Sequence, residues 1–254
     1  MRSMLMKEAA SFLVPCRCDI CNGYSDIEKG TGYLDSLYRR VYSGERGFHI
    51  CSKCLLGIVP KSSDKRWFTC LSNPLDEDEY NDLTLFMPFE YSGVVDKALP
   101  KVKFDDRREI ARLFGLLLGE IIRQEGIIAD LIVPVPLSVQ RMRERGFNQA
   151  EEIAYPVSVI CSIPMGRDVL IRTRNTVRQS DIKDTALRAV NMSGAFENNG
   201  NWDVTGLRIM LIDDVATTGN TLRECAVKLY EGGAADVLCC AFSGNRQLKN
   251  DEPF

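Results

Sequence analysis

The chain has 254 residues, of which 45% are hydrophobic and 26% charged, with a formal net charge of −3; this is a globular composition with room for one large domain, or one plus a small appendage. That charge gives no global argument for nucleic acid. The longest near-continuous apolar stretch, Leu113 to Ile122, is interrupted by Gly119 and Glu120 and is about half of the ~20 residues that a membrane span needs. Lys7 and Glu8 precede only a very short apolar piece, which fits no secretory signal, so no membrane insertion and a cytoplasmic location are expected.

Residues 4–14 are expected to form a short amphipathic helix. Ten cysteines follow in the chain, and because cytosolic thiols stay reduced they do not read as a disulfide framework. Cys18-x-x-Cys21 and Cys51-x-x-Cys54 are two knuckles that can deliver four thiolates tetrahedrally to one structural Zn²⁺. The intervening segment is rich in Gly, Ser and Tyr and builds no core of its own, so the metal would supply its folding energy. A redox C-x-x-C pair is the competing reading, but such pairs lie at strand-to-helix junctions and do not come in twos. Cys16 and Cys70 are spare thiols that can substitute as ligands. His49, the only histidine, is read as a surface residue because four cysteines already close the site. Any chemistry further along must therefore do without histidine, which excludes Ser-His-Asp, Cys-His and HExxH sites.

Residues 1–70 are thus expected to be a zinc-binding domain and residues 71–82, acidic and non-periodic, a linker. Residues 83–245 would be the larger domain and residues 246–254 a polar tail. Leu83 to Tyr91 alternate as a strand and Val94 to Val102 suit a short helix leading into Lys103-Phe104. Asp106-x-x-Glu109 has the form of a capping box for a long helix, with Ile110, Leu113, Phe114, Leu117, Leu118, Ile121 and Ile122 as one apolar stripe before Gly126. Asp130 to Val135 is the next buried strand. It runs into a rigid turn through Pro136 and Leu137, followed by Arg141, Arg143 and Arg145. Three arginines in this spacing would ordinarily be a solvated helix face, but at the end of a buried strand they are placed to hold an anion such as pyrophosphate. Phe147 to Cys161 is helical by pattern, with Pro156 expected to kink or end it early. Asp168 to Ile171 form a strand, Arg172 to Gln179 a mobile basic loop carrying Arg172, Arg174 and Arg178, Asp181 to Asn191 a helix and Gly194 to Phe196 a strand. Such a loop can close over a polyphosphate, follow a nucleic-acid backbone, or simply be solvated.

Arg208 to Leu222, RIMLIDDVATTGNTL, is the stretch on which function turns. Ile209 to Ile212 are an uninterrupted apolar run, as in a parallel strand covered on both faces. Asp213 and Asp214 follow, then Ala216, Thr217, Thr218, Gly219, Asn220 and Thr221, before Leu222, Cys225, Ala226 and Leu229 recur at helical spacing up to Gly232-Gly233. A loop of this kind at the carboxyl end of a parallel strand offers free N–H groups and a helix N-terminus to a phosphate, and the adjacent carboxylates can accept from a hydroxylated group attached to it. A ribose 5-phosphate satisfies both demands. No GxxxxGK[ST] or GxGxxG sequence occurs, so ATPase and dinucleotide readings lack their basic part. Asp236 to Phe242 supply a last buried strand. Strands alternating with helices predict an α/β fold, a mostly parallel sheet with helices on both faces.

The Arg208–Leu222 stretch resembles the phosphoribosyl pyrophosphate (PRPP) motif of type I phosphoribosyltransferases, with Asn220 where a small alanine is common. With the two knuckles, RERGFNQA from Arg143 to Ala150, Lys103-Phe104, the Val133 to Pro136 turn, Thr176-x-x-Gln179 and Asn191-x-x-Gly194-Ala195-Phe196, nearly the whole chain resembles the ComF family. Its ComFC-type members join a zinc domain to a phosphoribosyltransferase-like domain. The resemblance implies a role in DNA uptake during natural transformation beside a helicase-like ATPase, or else the role of a related subgroup named for growth on gluconate. It further implies that the loop from Ala216 to Thr221 holds the 5-phosphate, that Asp213 and Asp214 are the catalytic pair on the ribose hydroxyls and, through water, Mg²⁺, and that Pro136, Leu137 and Arg141 face pyrophosphate. The residue pattern leaves two readings: a phosphoribosyltransferase acting on PRPP, for which no acceptor-activating base is evident, or a binding module that senses PRPP or holds single-stranded DNA through basic residues such as Lys103, Arg143, Arg145, Arg172, Arg174 and Arg178.

Overall fold

A computed structural model gives the fold and describes residues 17–24, 32–43, 48–61, 67–71, 83–91, 93–173 and 194–244. In chain order the elements are α1 (Gly32–Val41), α2 (Ser52–Leu56), β1 (Phe68–Leu71), β2 (Leu83–Phe86), β3 (Phe89–Glu90), α3 (Val94–Phe104), α4 (Arg108–Gln124), β4 (Leu131–Pro134), α5 (Val139–Arg145), α6 (Gln149–Cys161), β5 (Leu170–Arg172), β6 (Phe196–Asn198), β7 (Arg208–Ala216), α7 (Asn220–Glu231) and β8 (Asp236–Gly244). The expected helices at 4–14 and 181–191, and Arg174 and Arg178, lie outside the described residues.

The main sheet runs β1-β2-β8-β7-β4, with β3 pairing further along β8. Every pairing in it is parallel except β1 on β2. Because successive strand residues face opposite ways, β7 and β8 feed two cores. Met210, Ile212, Cys240 and Phe242 pack with α3, α4 and α6 on one face; Ile209, Leu211, Cys239 and Ala241 pack with α7 on the other. This is the doubly covered, mostly parallel sheet that the alternation of elements predicts. A second, two-stranded antiparallel sheet pairs β5 with β6.

Several local expectations change. The capping box does not form: the N-cap of α4 is Arg107, without a side-chain cap bond, and Asp106 turns to accept from Arg108 Nε at 3.4 Å. Pro156 neither kinks α6 to an early end nor stops it, since the helix continues to Cys161 and closes on a left-handed Ser162. The run from Leu83 to Tyr91 is two strands broken at Met87-Pro88. The strands near Asp168 and Gly194 begin about two residues later than expected, at Leu170 and Phe196. Leu71 ends the edge strand β1, and its side chain lies over Gly219, where an added Cβ would come within 2.3 Å of Leu71 Cδ2.

Candidate functional site

Two centres stand out. At the first, the knuckles bring Cys18, Cys21, Cys51 and Cys54 together with all four sulfurs within 4.8 Å of one another. Cys21 and Cys51 are 3.8 Å apart, which matches the edge of a tetrahedron built on Zn–S bonds of about 2.3 Å. The Cys51 N–H donates to Cys18 Sγ at 3.4 Å. Burial pushes the Cys51 and Cys54 thiols up, whereas the backbone N–H of Gly23 pulls Cys21 down; a dication would draw all of them to thiolate. The donor set suits structural zinc. Among the described residues this cluster holds those four thiols alone: His49 contributes its backbone, and Cys70 sits in β1.

The second centre lies at the carboxyl end of β7. The strand runs further than its apolar core, through the acid pair to Ala216, so Asp213 and Asp214 are strand residues and not the first of the loop. Alternation directs Asp214 toward the α3 side and Asp213 toward the α7 side. Asp214, 7% exposed, receives Lys103 Nζ at 2.8 Å from the last turn of α3. Burial opposes the charge on Lys103, but the Asp214 carboxylate more than offsets it and the ammonium is held above its usual range. Asp213 accepts the Asp214 N–H at 2.8 Å. Burial, then the neighbouring Asp214 charge, pushes it up to about 7, against the opposing pull of Lys103.

The loop that follows has the form expected of an anion cradle. Ala216 is buried, Thr217 exposed, Thr218, Asn220 and Thr221 half-buried. Gly219 has φ +76° and caps α7, a left-handed conformation that an L side chain resists. Across from it, Asn148 donates to the Val135 carbonyl at 3.0 Å and caps α6 by accepting the Ala150 N–H, which fixes the turn holding Pro136 and Leu137. Ser138 caps α5. Gln149 accepts from Arg145 Nη1 at 3.0 Å. The GFNQ segment is thus the brace of the site.

Between α3 and α5 opens a cleft of about 260 Å³ lined by Lys103, Phe104, Arg141, Glu144 and Arg145. Phe104 is 69% exposed, with the Arg145 guanidinium 5.8 Å from its ring. Arg143 lies on the exposed side of α5. Arg172 departs from the expected mobile loop: it ends β5, half-buried, 5.1 Å from the Phe196 ring. Burial, and then repulsion from Arg141, lowers it, while Glu224 and Asp213 pull the other way; it therefore stands within electrostatic reach of the acid pair. The structure unites Lys103, Arg141, Arg145 and Arg172 around the end of β7. Sequence reasoning missed Phe104 and Glu144 and grouped Lys103 with solvated basic residues, because nothing local marks a lysine whose partner is remote in the chain.

No protein-family model matches the chain. The DNA utilization protein YhgH of Escherichia coli (strain K12) is 35% identical over 153 residues, which are 58% of this chain and 66% of that protein's length, just under two thirds. Competence protein F of Haemophilus influenzae is 31% identical over 229 residues, 87% of this chain and 93% of that one. Among solved structures, glutamine PRPP amidotransferase from B. subtilis, complexed with ADP and GMP, aligns over 53% of this chain and 27% of its own at 24% identity, with a TM-score of 0.37.

Proposed function

The chain belongs to the ComF family of competence proteins, and from that premise we propose that its cleft binds PRPP with Mg²⁺. The observation that carries this reading is the end of β7, where an acid pair, a left-handed glycine cradle and a cleft lined by Lys103, Arg141 and Arg145 adjoin. The Thr217 to Thr221 loop would take the 5-phosphate on backbone N–H groups and hydroxyls. Asp213 and Asp214 would accept from the ribose hydroxyls, and Lys103, Arg141 and Arg172 would face the pyrophosphate with the Pro136-Leu137 turn. The acid pair is also where a hydrated Mg²⁺ would be held. Bound there, it would neutralise charge on the departing pyrophosphate oxygens.

If the bond at C1 breaks, the arginines and Lys103 stabilise charge that develops on the leaving group, which is where such a site gains most rate. Wild-type protein should bind PRPP with Mg²⁺ in isothermal titration, and Asp213→Asn or Arg141→Ala should weaken it by about tenfold or more. A wild-type chain inert to PRPP at millimolar concentration would sink the reading. Exchange of labelled pyrophosphate into PRPP, in the presence of an acceptor, separates a catalyst from a sensor.

A second reading has its own support. The exposed Phe104 ring beside the arginines of α5 is the combination of stacking surface and cation that holds single-stranded nucleic acid. It fits the names of the relatives, which point to DNA utilization and competence, and a place in the cytoplasm beside a helicase-like DNA-uptake ATPase. Binding of a single-stranded oligonucleotide should fall steeply with salt and with Arg143→Ala; binding indifferent to salt would count against it.

A further inference from the structure

The zinc knuckle and the cleft are joined by a short line of contacts. Asp19, inside the Cys18-x-x-Cys21 knuckle, is 7% exposed and uses both carboxylate oxygens. Oδ2 accepts the His49 N–H at 2.7 Å, and Oδ1 meets Arg107 Nη1 at 3.2 Å. The Asp19 N–H in turn donates to the His49 carbonyl at 2.7 Å, so this one residue ties the two knuckle segments to each other and to Arg107. A carboxylate so deeply covered needs a charged partner, and Arg107 provides it.

Arg107 stands at the start of α4, directly after Asp106, whose φ of +51° is left-handed. The turn folds back on the end of α3: the N–H groups of Asp105 and Arg107 point to the Lys101 carbonyl at 3.0 and 3.5 Å. Lys103 and Phe104 immediately precede that turn. The buried anchors of α3, Val95, Ala98, Leu99 and Val102, all lie before them. The last residues of α3 are therefore held from two sides, by Lys103 on Asp214 and by Arg107 on Asp19. The next residue, Arg108, donates to the Gly146 carbonyl at 3.2 Å and ties the same turn to the end of α5.

We propose that Asp19 and Arg107 are positioning residues, a strut through which the metal knuckle holds Lys103 on Asp214 and so sets how tightly the cleft takes a polyphosphate. The proposal rests on the PRPP reading only for the identity of the ligand. Its physical basis is that Arg107 is fixed at its far end by a knuckle that the metal makes rigid, whereas the turn it stabilises carries a strained aspartate and would relax if released. The strut makes the zinc site a part of the binding apparatus, beyond its contribution to folding.

The test uses the full zinc-loaded chain, with metal content checked for each variant. Arg107→Ala should weaken binding of Mg²⁺–PRPP and of inorganic pyrophosphate by about five- to tenfold at unchanged zinc content, and Arg107→Lys should restore most of it. In a Lys103→Gln background Arg107→Ala should cost nothing further, because the strut acts through Lys103. An equal loss in both backgrounds would overturn the proposal in favour of a merely local salt bridge. An arm independent of any ligand follows the rate of Lys103 acetylation by mass spectrometry, which should rise in Arg107→Ala and Asp19→Asn; an unchanged rate overturns the strut. Should the wild type bind neither PRPP nor pyrophosphate, the PRPP reading alone fails, and the acetylation rate decides the strut by itself.

Discussion

Asp213 and Asp214 are consecutive in β7, and the pleat of the strand gives each its own surroundings: Asp214 faces Lys103, while Asp213 lies toward Arg172 and α7. With its ammonium partner, Asp214 can stay ionised in a covered position. Asp213 has burial and a negative neighbour against it and is pushed up to about 7. An acid whose folded pKa exceeds its unfolded one stabilises the fold fully at low pH and loses that contribution as pH rises through the folded value; for Asp213 the loss spans about pH 4 to 7. Asp213→Asn should therefore melt roughly 2–4 °C above wild type at pH 8, the shift that about 1 kcal/mol brings in a chain of this size, and the gap should close by pH 4.5. A gap that persists at low pH would show that burial of the charge is not its cause. Because the ionised form is the one that accepts from hydroxyls and hydrated cations, wild-type affinity for Mg²⁺–PRPP should rise from pH 6 to pH 8, and Asp213→Asn should flatten that profile.

At the scale of elements, α4 against α6 explains how a helix carries proline in its interior. The two helices approach so closely at Gly115 that an added Cβ would lie 2.4 Å from the Ile153 carbonyl oxygen and 2.9 Å from Pro156 Cγ. Pro156 is buried in that contact, and packing offsets the backbone bond the ring removes. The Arg112–Glu152 pair at 2.8 Å clamps the same interface. Gly115→Ala should then destabilise by about 1–3 kcal/mol, as overpacking against backbone does, measurable as a lower urea midpoint. Gly119→Ala, whose nearest contacts at 3.1 Å are Ile160 Cδ1 and Val157 Cα, should cost less. The apolar stripe of α4 was legible in its sequence because helical period carries that information locally. The fate of Pro156 was not, since it depends on a glycine in another helix.

Across the whole molecule, the knuckle and the sheet share one core. Cys18, Ile20, Ile50, Cys51, Cys54 and Ile58 belong to the same buried cluster as Phe86, Phe89, Val95, Phe114 and Phe242, and Tyr38 and Tyr42 pack beside Leu116 and Ile160. Loss of the metal should therefore weaken more than the knuckle. Cys54→Ser, or chelation, should remove the bound zinc and lower the main calorimetric transition by about 10 °C or more, given zinc-binding free energies on the order of 10 kcal/mol; a main transition left in place would show the two parts to be independent. Along the sequence alone, the two C-x-x-C knuckles, the acid pair, its threonine and glycine loop and the buried strands were already determined, because metal chelation and phosphate cradling need particular residue types at short, fixed spacings. Only tertiary structure decided that Lys103 neutralises Asp214, that Arg172 turns in toward the acids, that the carboxylates part to opposite faces, and that Asp19 reaches Arg107. Those contacts join residues far apart in the chain, and sheet order and helix docking create them, whereas no local period can encode which remote charge will arrive.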